Sequence, residues 1–157
     1  MVQRIIFMVW HLLNHYANAV FIKTIFIERG KRKMANILWL QGGACSGNTM
    51  SFLNAEEPSA CDLVTDFGMN VLWHPSLGME LGDNLKQMLK DCISGAIKLD
   101  IFVFEGSVVN APNGSGEWNR FAGRPMREWV QELSDASDFV VAIGDCATWG
   151  GIPATAP

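Results

Sequence analysis

Two cysteines, Cys45 and Cys146, each come shortly after an apolar run that is typical of a buried strand. Both lie in glycine-rich segments, residues 42–48 and 144–151. Because the carboxyl ends of parallel strands share one edge of a sheet, we expect the two thiols at the same edge. Thiolates are the usual protein ligands of iron–sulfur clusters, so the pattern predicts a metal cluster there. The spacing alone leaves a second interpretation open, in which both cysteines are small buried hydrophobic residues.

The residues beside the two cysteines suit a bulky inorganic core. Backbone N–H groups can donate to cluster sulfides, and three glycines allow the backbone to come close: Gly43, Gly47 and Gly144. A predicted helix begins near Asn48, and its N-terminus adds partial positive charge beside an anionic cluster. The remaining cysteines differ, because Cys92 lies on an apolar helix stripe and Cys61 in a connection. We expect both to be core or inert thiols.

The chain after residue 33 alternates between apolar runs and amphipathic stretches. Continuous apolar runs predict strands buried on both faces of a parallel sheet, at residues 36–40, 70–73, 100–104 and 139–143. Apolar residues at helical spacing predict helices over 81–96 and 126–136, and shorter helices are expected over 48–53 and 59–67. The predicted fold class is therefore α/β, with a doubly wound, mostly parallel sheet and helices on both faces. The long irregular segment 105–124 is typical of a functional loop.

Composition narrows the classes of function. The chain has 157 residues, of which 49% are hydrophobic and 18% charged, enough for one well-buried domain. Its net charge is −4 and no dense basic face is evident in the folded part, which argues against nucleic acid as a partner. Four cysteines without tight regular spacing do not resemble a secreted disulfide framework.

Residues 1–33 differ in character from the rest. Polar residues interrupt their apolar stretch, so a membrane span of about 20 apolar residues is not predicted, and no export signal is recognisable. We expect the functional start at Met34, with residues 1–33 as an N-terminal extension whose translation the sequence leaves open. Residues 34–157 form the predicted domain. An amphipathic membrane-surface helix or a weak anchor is the alternative for the extension.

Three motifs carry a family resemblance: WLQGGACSG at 39–47, EGSV at 105–108 and GDCATWGG at 144–151. Residues 35–157 resemble the N-terminal half of the small, electron-transferring subunit of nickel–iron hydrogenases. The resemblance implies a flavodoxin-like domain that binds the proximal iron–sulfur cluster through Cys45 and Cys146. It also implies that hydrogen is split at nickel and iron in the large subunit, so no catalytic residue is expected in this chain.

The first motif departs from the family pattern. In the family this motif has the sequence Cys-x-Gly-Cys, and this chain has Asn48 at the position of the second cysteine. The segment GGACSGNTMSFLN is similar to the actinobacterial-type, oxygen-tolerant uptake hydrogenases, which share the missing cysteine. The resemblance implies a 4Fe-4S cluster with a carboxylate ligand or a 3Fe-4S cluster. Asp145 and Glu105 are the candidate carboxylates, and an oxygen ligand is expected to shift the cluster potential.

The resemblance also implies parts that these 157 residues do not contain. A third proximal cysteine and a domain with further clusters follow in the family, so we expect a truncated domain with an incomplete cluster. The implied partners are the hydrogenase large subunit and a downstream electron acceptor. The expected location is cytoplasmic, and association with the inner face of the membrane stays open.

A flavin-binding, flavodoxin-like electron carrier is the alternative function. Residues 46–49, Ser-Gly-Asn-Thr, are similar to the phosphate loop of flavodoxins, where such residues bind a flavin phosphate at a helix start. The motif around Cys146 has no role in such a protein, which favours the hydrogenase interpretation.

Overall fold

The computed structural model describes residues 4–8, by their backbone, and residues 34–155. The elements in chain order are β1 Arg4–Met8, β2 Ala35–Gln41, α1 Gly47–Leu53, α2 Ala60–Thr65, β3 Met69–Trp73, α3 Gly82–Ser94, β4 Ile101–Glu105, β5 Arg120–Phe121, β6 Arg124–Pro125, α4 Met126–Ala136, β7 Phe139–Ile143, α5 Gly144–Trp149 and a short 3₁₀ helix, Ile152–Thr155. The four predicted strands and the four predicted helices are all present.

The main sheet has five strands in the order β1-β7-β4-β2-β3, and every neighbouring pair is parallel. When the strands are counted along the chain from β2, then β2, β3, β4 and β7 are strands 1 to 4. The order β3-β2-β4-β7 is then 2-1-3-4, which matches the first four positions of the flavodoxin-like arrangement 2-1-3-4-5. The predicted fold class is therefore confirmed.

The fifth position of the sheet is filled by β1, which the sequence pattern does not predict. Arg4 pairs with Phe139 and Met8 with Ile143, in continuous parallel register. These five residues belong to the predicted extension over 1–33, most of which lies outside the described residues. The predicted domain boundary at Met34 stays a prediction.

Each face of the sheet buries its own apolar cluster. Leu38 and Leu40 of β2 point to the face covered by α3 and α4. Trp39, between them, points to the opposite face, where Phe52 of α1 and Leu63 of α2 pack. Because successive side chains of a strand alternate between faces, both kinds of position must be apolar, which explains the uninterrupted apolar runs.

The helix ends follow local signals in the sequence. α2 begins with a capping box, in which the Ser59 side chain accepts from the Asp62 N–H while the Asp62 carboxylate accepts from the Ser59 N–H. α3 ends at Gly95, which has a left-handed backbone with φ of 81°. Within the described part of the chain, none of the helices has the length and apolar character needed to cross a membrane.

The predicted loop over 105–124 contains a small antiparallel hairpin of β5 and β6. Arg124 of β6 donates to both carboxylate oxygens of Glu132, on α4, at 2.8 and 2.7 Å. The Arg124 guanidinium also lies 3.7 Å from the centre of the buried Trp129 ring. The hydrogen bonds from Arg124 hold the pKa of Glu132 below its usual range. These contacts fasten the hairpin to α4.

Candidate functional site

The carboxyl edge of the sheet joins the segment after β2 to the segment after β4. Gly42 N–H donates to the Glu105 carbonyl at 2.8 Å. Gly43 and Ser107 then exchange two backbone hydrogen bonds of 3.0 Å each. The chain around Cys45 is therefore tied to the end of the central strand β4 before it enters α1.

The segment after β7 meets the same region through Gly144 and Asn48. Gly144 has φ of +79°, and a Cβ at this position would lie 2.3 Å from Asn48 Nδ2. The Asn48 amide also lies 3.5 Å from the Ile143 carbonyl oxygen, as a long hydrogen bond. The structure thus brings four of the predicted site residues together, namely Gly43, Asn48, Glu105 and Gly144.

Each of the two cysteine sulfurs lies beside a glycine. Cys45 is exposed, and its Sγ would be 3.2 Å from a Cβ on Gly47. Cys146 is half-buried, and its Sγ would be 2.8 Å from a Cβ on Gly151. A side chain at either glycine would press on the sulfur, so the chain keeps bare backbone beside both thiols. We call each pair of a cysteine sulfur and the bare backbone beside it a glycine cradle. The lack of a side chain there leaves room for a cluster to approach the sulfur.

Cys146 lies on a helix, where the sequence predicted a loop. The residues from Gly144 to Trp149 form α5, which begins directly after β7. Six residues are too few to show a helical repeat of apolar side chains, which is why the pattern indicates only a glycine-rich loop. Asp145 is exposed in the first turn of this helix.

The described residues supply only part of a ligand set for an iron–sulfur cluster. Across residues 34–155 no three His, Cys, Asp or Glu side chains converge closely enough to hold a metal ion. The chemistry of the set nevertheless fits, because it consists of two thiols in glycine cradles with a carboxylate next to one of them. The assignment of Cys45, Cys146 and Asp145 as ligands stays a prediction.

The turn that carries Cys45 has a fixed, strained shape. Ser46 adopts a left-handed backbone with φ of 63°, which is uncommon for a residue other than glycine. Its hydroxyl accepts a hydrogen bond of 2.7 Å from the Gln41 side chain. The last residue of β2 therefore holds the turn that leads from Cys45 into α1.

Sequence reasoning missed a buried aromatic group beneath α1. His74 is only 2% exposed, and its ring centre lies 4.8 Å from that of Trp39 and 6.2 Å from that of Phe52. His74 Nδ1 accepts from the Ser76 N–H at 3.1 Å. Among the described residues, His74 Nε2 and Trp39 Nε1 have no hydrogen-bond partner. Burial lowers the pKa of His74, and the Glu105 charge opposes that shift.

The two other cysteines have different surroundings. Cys92 is 1% exposed in the core, as predicted, and burial raises its pKa to about 11, with a smaller contribution from Asp91. Cys61 is exposed on α2, so it is not a core residue. α2 leads into the start of β3, which is the opposite edge of the sheet from Cys45.

Comparison with known proteins places the chain in a family. The family model described as "NADH ubiquinone oxidoreductase, 20 Kd subunit" matches residues 45–157. The cytochrome c3 hydrogenase small chain of Acidithiobacillus ferrooxidans is 90% identical over 38 residues, which are 24% of this chain and 95% of that one. The F420 non-reducing hydrogenase II small subunit of Methanosarcina mazei is 29% identical over 126 residues, covering 74% of this chain and 33% of that subunit.

A solved structure extends the comparison. The actinobacterial-type NiFe-hydrogenase from Ralstonia eutropha H16 superposes with a TM-score of 0.68 at 31% identity, covering 78% of this chain and 39% of that chain. The chain thus spans about a third of the length of its longer relatives. The resemblance to hydrogenase small subunits is confirmed. The chain belongs to the NADH ubiquinone oxidoreductase 20 Kd subunit family, among relatives that are small subunits of hydrogenases.

Proposed function

We propose that this chain is the proximal-cluster part of the electron-transfer small subunit of a nickel–iron hydrogenase. The observation that carries the proposal is the placement of Cys45 and Cys146 at one edge of a parallel sheet, each beside a bare glycine backbone. Hydrogenase small subunits carry iron–sulfur clusters and pair with a large subunit, and the family membership supports the same role. When bound, such a cluster accepts and passes on single electrons.

The protein groups around the cluster have separate tasks in this proposal. Cys45 and Cys146 provide thiolate ligands, and the glycines beside them admit the cluster. Asn48 stands at the position of the missing cysteine and rests on Gly144. A third thiolate ligand, as in the family pattern, would come from outside the described residues.

Asp145 is the carboxylate that we favour as a further ligand. It is exposed and directly precedes Cys146. Glu105 is the weaker candidate, because it is fully buried and both of its oxygens accept hydrogen bonds from α1. A 4Fe-4S cluster with one carboxylate ligand is therefore the form that we propose, with a 3Fe-4S cluster as the alternative.

The flavin alternative is disfavoured by the first turn of α1. A phosphate at this helix start needs free backbone N–H groups. The N–H groups of Asn48 and Thr49 already donate to Glu105, at 3.1 and 3.3 Å. Binding a phosphate there requires displacement of a buried carboxylate.

The proposed partner is a hydrogenase large subunit, from which electrons pass to a downstream acceptor, in a cytoplasmic complex. Two exposed tryptophans are available for such contacts: Trp118, which is 76% exposed, and Trp149, which is 70% exposed. Trp149 lies at the end of α5, three residues from Cys146, so a partner that covers it also approaches the cluster edge.

Iron binding tests the proposal. The full chain is produced anaerobically with the large subunit of its own organism, and iron, acid-labile sulfide and the electron paramagnetic resonance spectrum are measured. Cys45→Ser and Cys146→Ser are expected to lose most of the iron, and hydrogen-driven dye reduction is lost with it. Cys61→Ser, at the opposite edge of the sheet, serves as the control and retains both. Equal iron in all four proteins contradicts the proposal, as does a flavin spectrum.

A further inference from the structure

Glu105 is a buried carboxylate at the end of the central strand β4. Its relative exposure is 0%, and the strand places it between the segments that carry Cys45 and Cys146. Between residues 34 and 155 no lysine or arginine forms an ion pair with it. A charge removed from water without a counter-ion is costly, so its hydrogen bonds must replace the lost hydration.

Three donors at the start of α1 replace that hydration. The N–H groups of Asn48 and Thr49 donate to Glu105 Oε1 at 3.1 and 3.3 Å. The Thr49 hydroxyl donates to Glu105 Oε2. Thr49 is itself 1% exposed, so this contact is closed to solvent. The first N–H groups of a helix have no partner within the helix, and here Glu105 supplies the acceptor for two of them.

We propose that Glu105 and Thr49 form a buried clamp that positions the Cys45–Asn48 turn and lowers the reduction potential of the group bound there. Glu105 acts as a positioning residue and not as a ligand, because it is fully buried and both of its oxygens already accept hydrogen bonds from α1. Thr49 orients the carboxylate. The second half of this inference rests on the proposed function, since it needs a bound cluster, whereas the first half does not.

The effect on potential follows from charge. Reduction adds an electron to a cluster, and a nearby buried negative charge disfavours that addition. Screening by solvent is weak because Glu105 and Thr49 are both closed to water. Removal of the charge without change of shape, as in Glu105→Gln, is therefore expected to raise the potential.

Amide hydrogen exchange tests the clamp in the iron-free full chain. In Glu105→Gln, the amides of Asn48 and Thr49 are expected to exchange at least about tenfold faster, because they lose a charged acceptor. Asp100→Asn is the matched control: Asp100 is also buried, lies just before the other end of β4 and accepts from Asn36 N–H. It is expected to leave both amides unchanged. Unchanged exchange in Glu105→Gln overturns the clamp.

A second pair of variants keeps the test decisive if Glu105→Gln does not fold. Thr49→Val removes only the hydroxyl donor, and Thr49→Ser retains it. Faster exchange at residues 48 and 49 in Thr49→Val, with wild-type rates in Thr49→Ser, supports the clamp. Equal rates in the two variants count against it.

Redox titration of the iron-loaded complex tests the charge effect. Glu105→Gln is expected to shift the midpoint potential in the positive direction, while Thr49→Val, which keeps the charge, and Asp100→Asn give no positive shift. Loss of iron in Glu105→Gln with unchanged amide exchange identifies Glu105 as a ligand and overturns the inference. If the wild-type complex binds no iron, the proposed function fails, and the exchange experiment still decides whether the clamp exists.

Discussion

The Asn48 side chain rests directly on the backbone of Gly144, so close that a Cβ at Gly144 would lie 2.3 Å from Asn48 Nδ2. This contact joins the start of α1 to the start of α5, the two helices beside the candidate cluster ligands. Only glycine allows it, because Gly144 also has a positive φ of 79°.

Gly144→Ala is expected to destabilise the protein through both the positive φ and the clash with Asn48. We expect a loss of about 2–4 kcal/mol in the free energy of unfolding. Gly68→Ala is the control, because Gly68 has φ of +66° and nothing within 4 Å of its added Cβ. That variant carries only the backbone cost of about 1–2 kcal/mol. Urea denaturation measures the free energy of unfolding of both variants. Equal losses would show that the clash between the added methyl group and Asn48 does not destabilise the protein.

Asn48→Cys places a thiol where the family pattern has one. The single hydrogen bond that is lost is long, at 3.5 Å, so the free energy of unfolding should fall by no more than about 1 kcal/mol. We expect a changed electron paramagnetic resonance spectrum and tighter iron binding, because a thiolate replaces a harder ligand or an open position. Asn54→Cys, at the exposed C-terminal end of α1, adds a thiol away from the site and should leave the spectrum unchanged. Identical spectra for the two variants would refute the expectation.

The four cysteines should react with an alkylating reagent in the order of their exposure to solvent. Cys45 and Cys61 are exposed and react first, Cys146 is half-buried and follows, and Cys92 is buried. With a pKa of about 11, Cys92 is ionised to only about a thousandth at pH 8, and only the thiolate reacts. Mass spectrometry of the iron-free chain measures the sites, and early modification of Cys92 would contradict the described core.

Acid should weaken the fold through His74. Burial lowers its pKa in the folded state below the unfolded value of 6.5, so the unfolded chain binds the proton first. Stability is therefore complete above about pH 6.5 and falls as the pH drops toward the folded pKa, by at most about 1.4 kcal/mol per pH unit.

The variant His74→Gln isolates this effect. It removes the titratable imidazole at position 74. His11 and His15 are present in both proteins, so their contribution to the pH dependence of stability is the same in both. Urea unfolding between pH 7.5 and about 5.5 should show a smaller decline for the variant than for the wild type. The same decline in both would mean that His74 is not responsible.

Much of the fold was predictable because the strands and helices have local signals. The run at 139–143 coincides with β7, and the apolar stripe at 126–136 coincides with α4. The helix is long enough for its apolar repeat to appear, and it buries Met126, Trp129 and Leu133. The strand is recognisable as a continuous apolar run, although only Ile143 in it is buried. The shared edge for Cys45 and Cys146 followed from parallel topology alone.

The features that were missed depend on contacts between distant parts of the chain. β1 is recognisable only through its pairing with β7, and α5 is too short for a helical repeat. The role of Glu105 as an acceptor for α1 depends on two segments that are 56 and 57 residues apart. The burial of His74 likewise arises from Trp39 and Phe52, which precede it in the chain and pack against it in space.

The pairing of Arg4 with Phe139 has a consequence for how the molecule assembles. Contacts between residues far apart in sequence form slowly, because closing a long loop costs entropy before the contact contributes any stability. During synthesis the first strand must also wait until residues 139–143 have been made before its neighbour exists. The edge of β7 is therefore expected to be the last part of the sheet to acquire its partner.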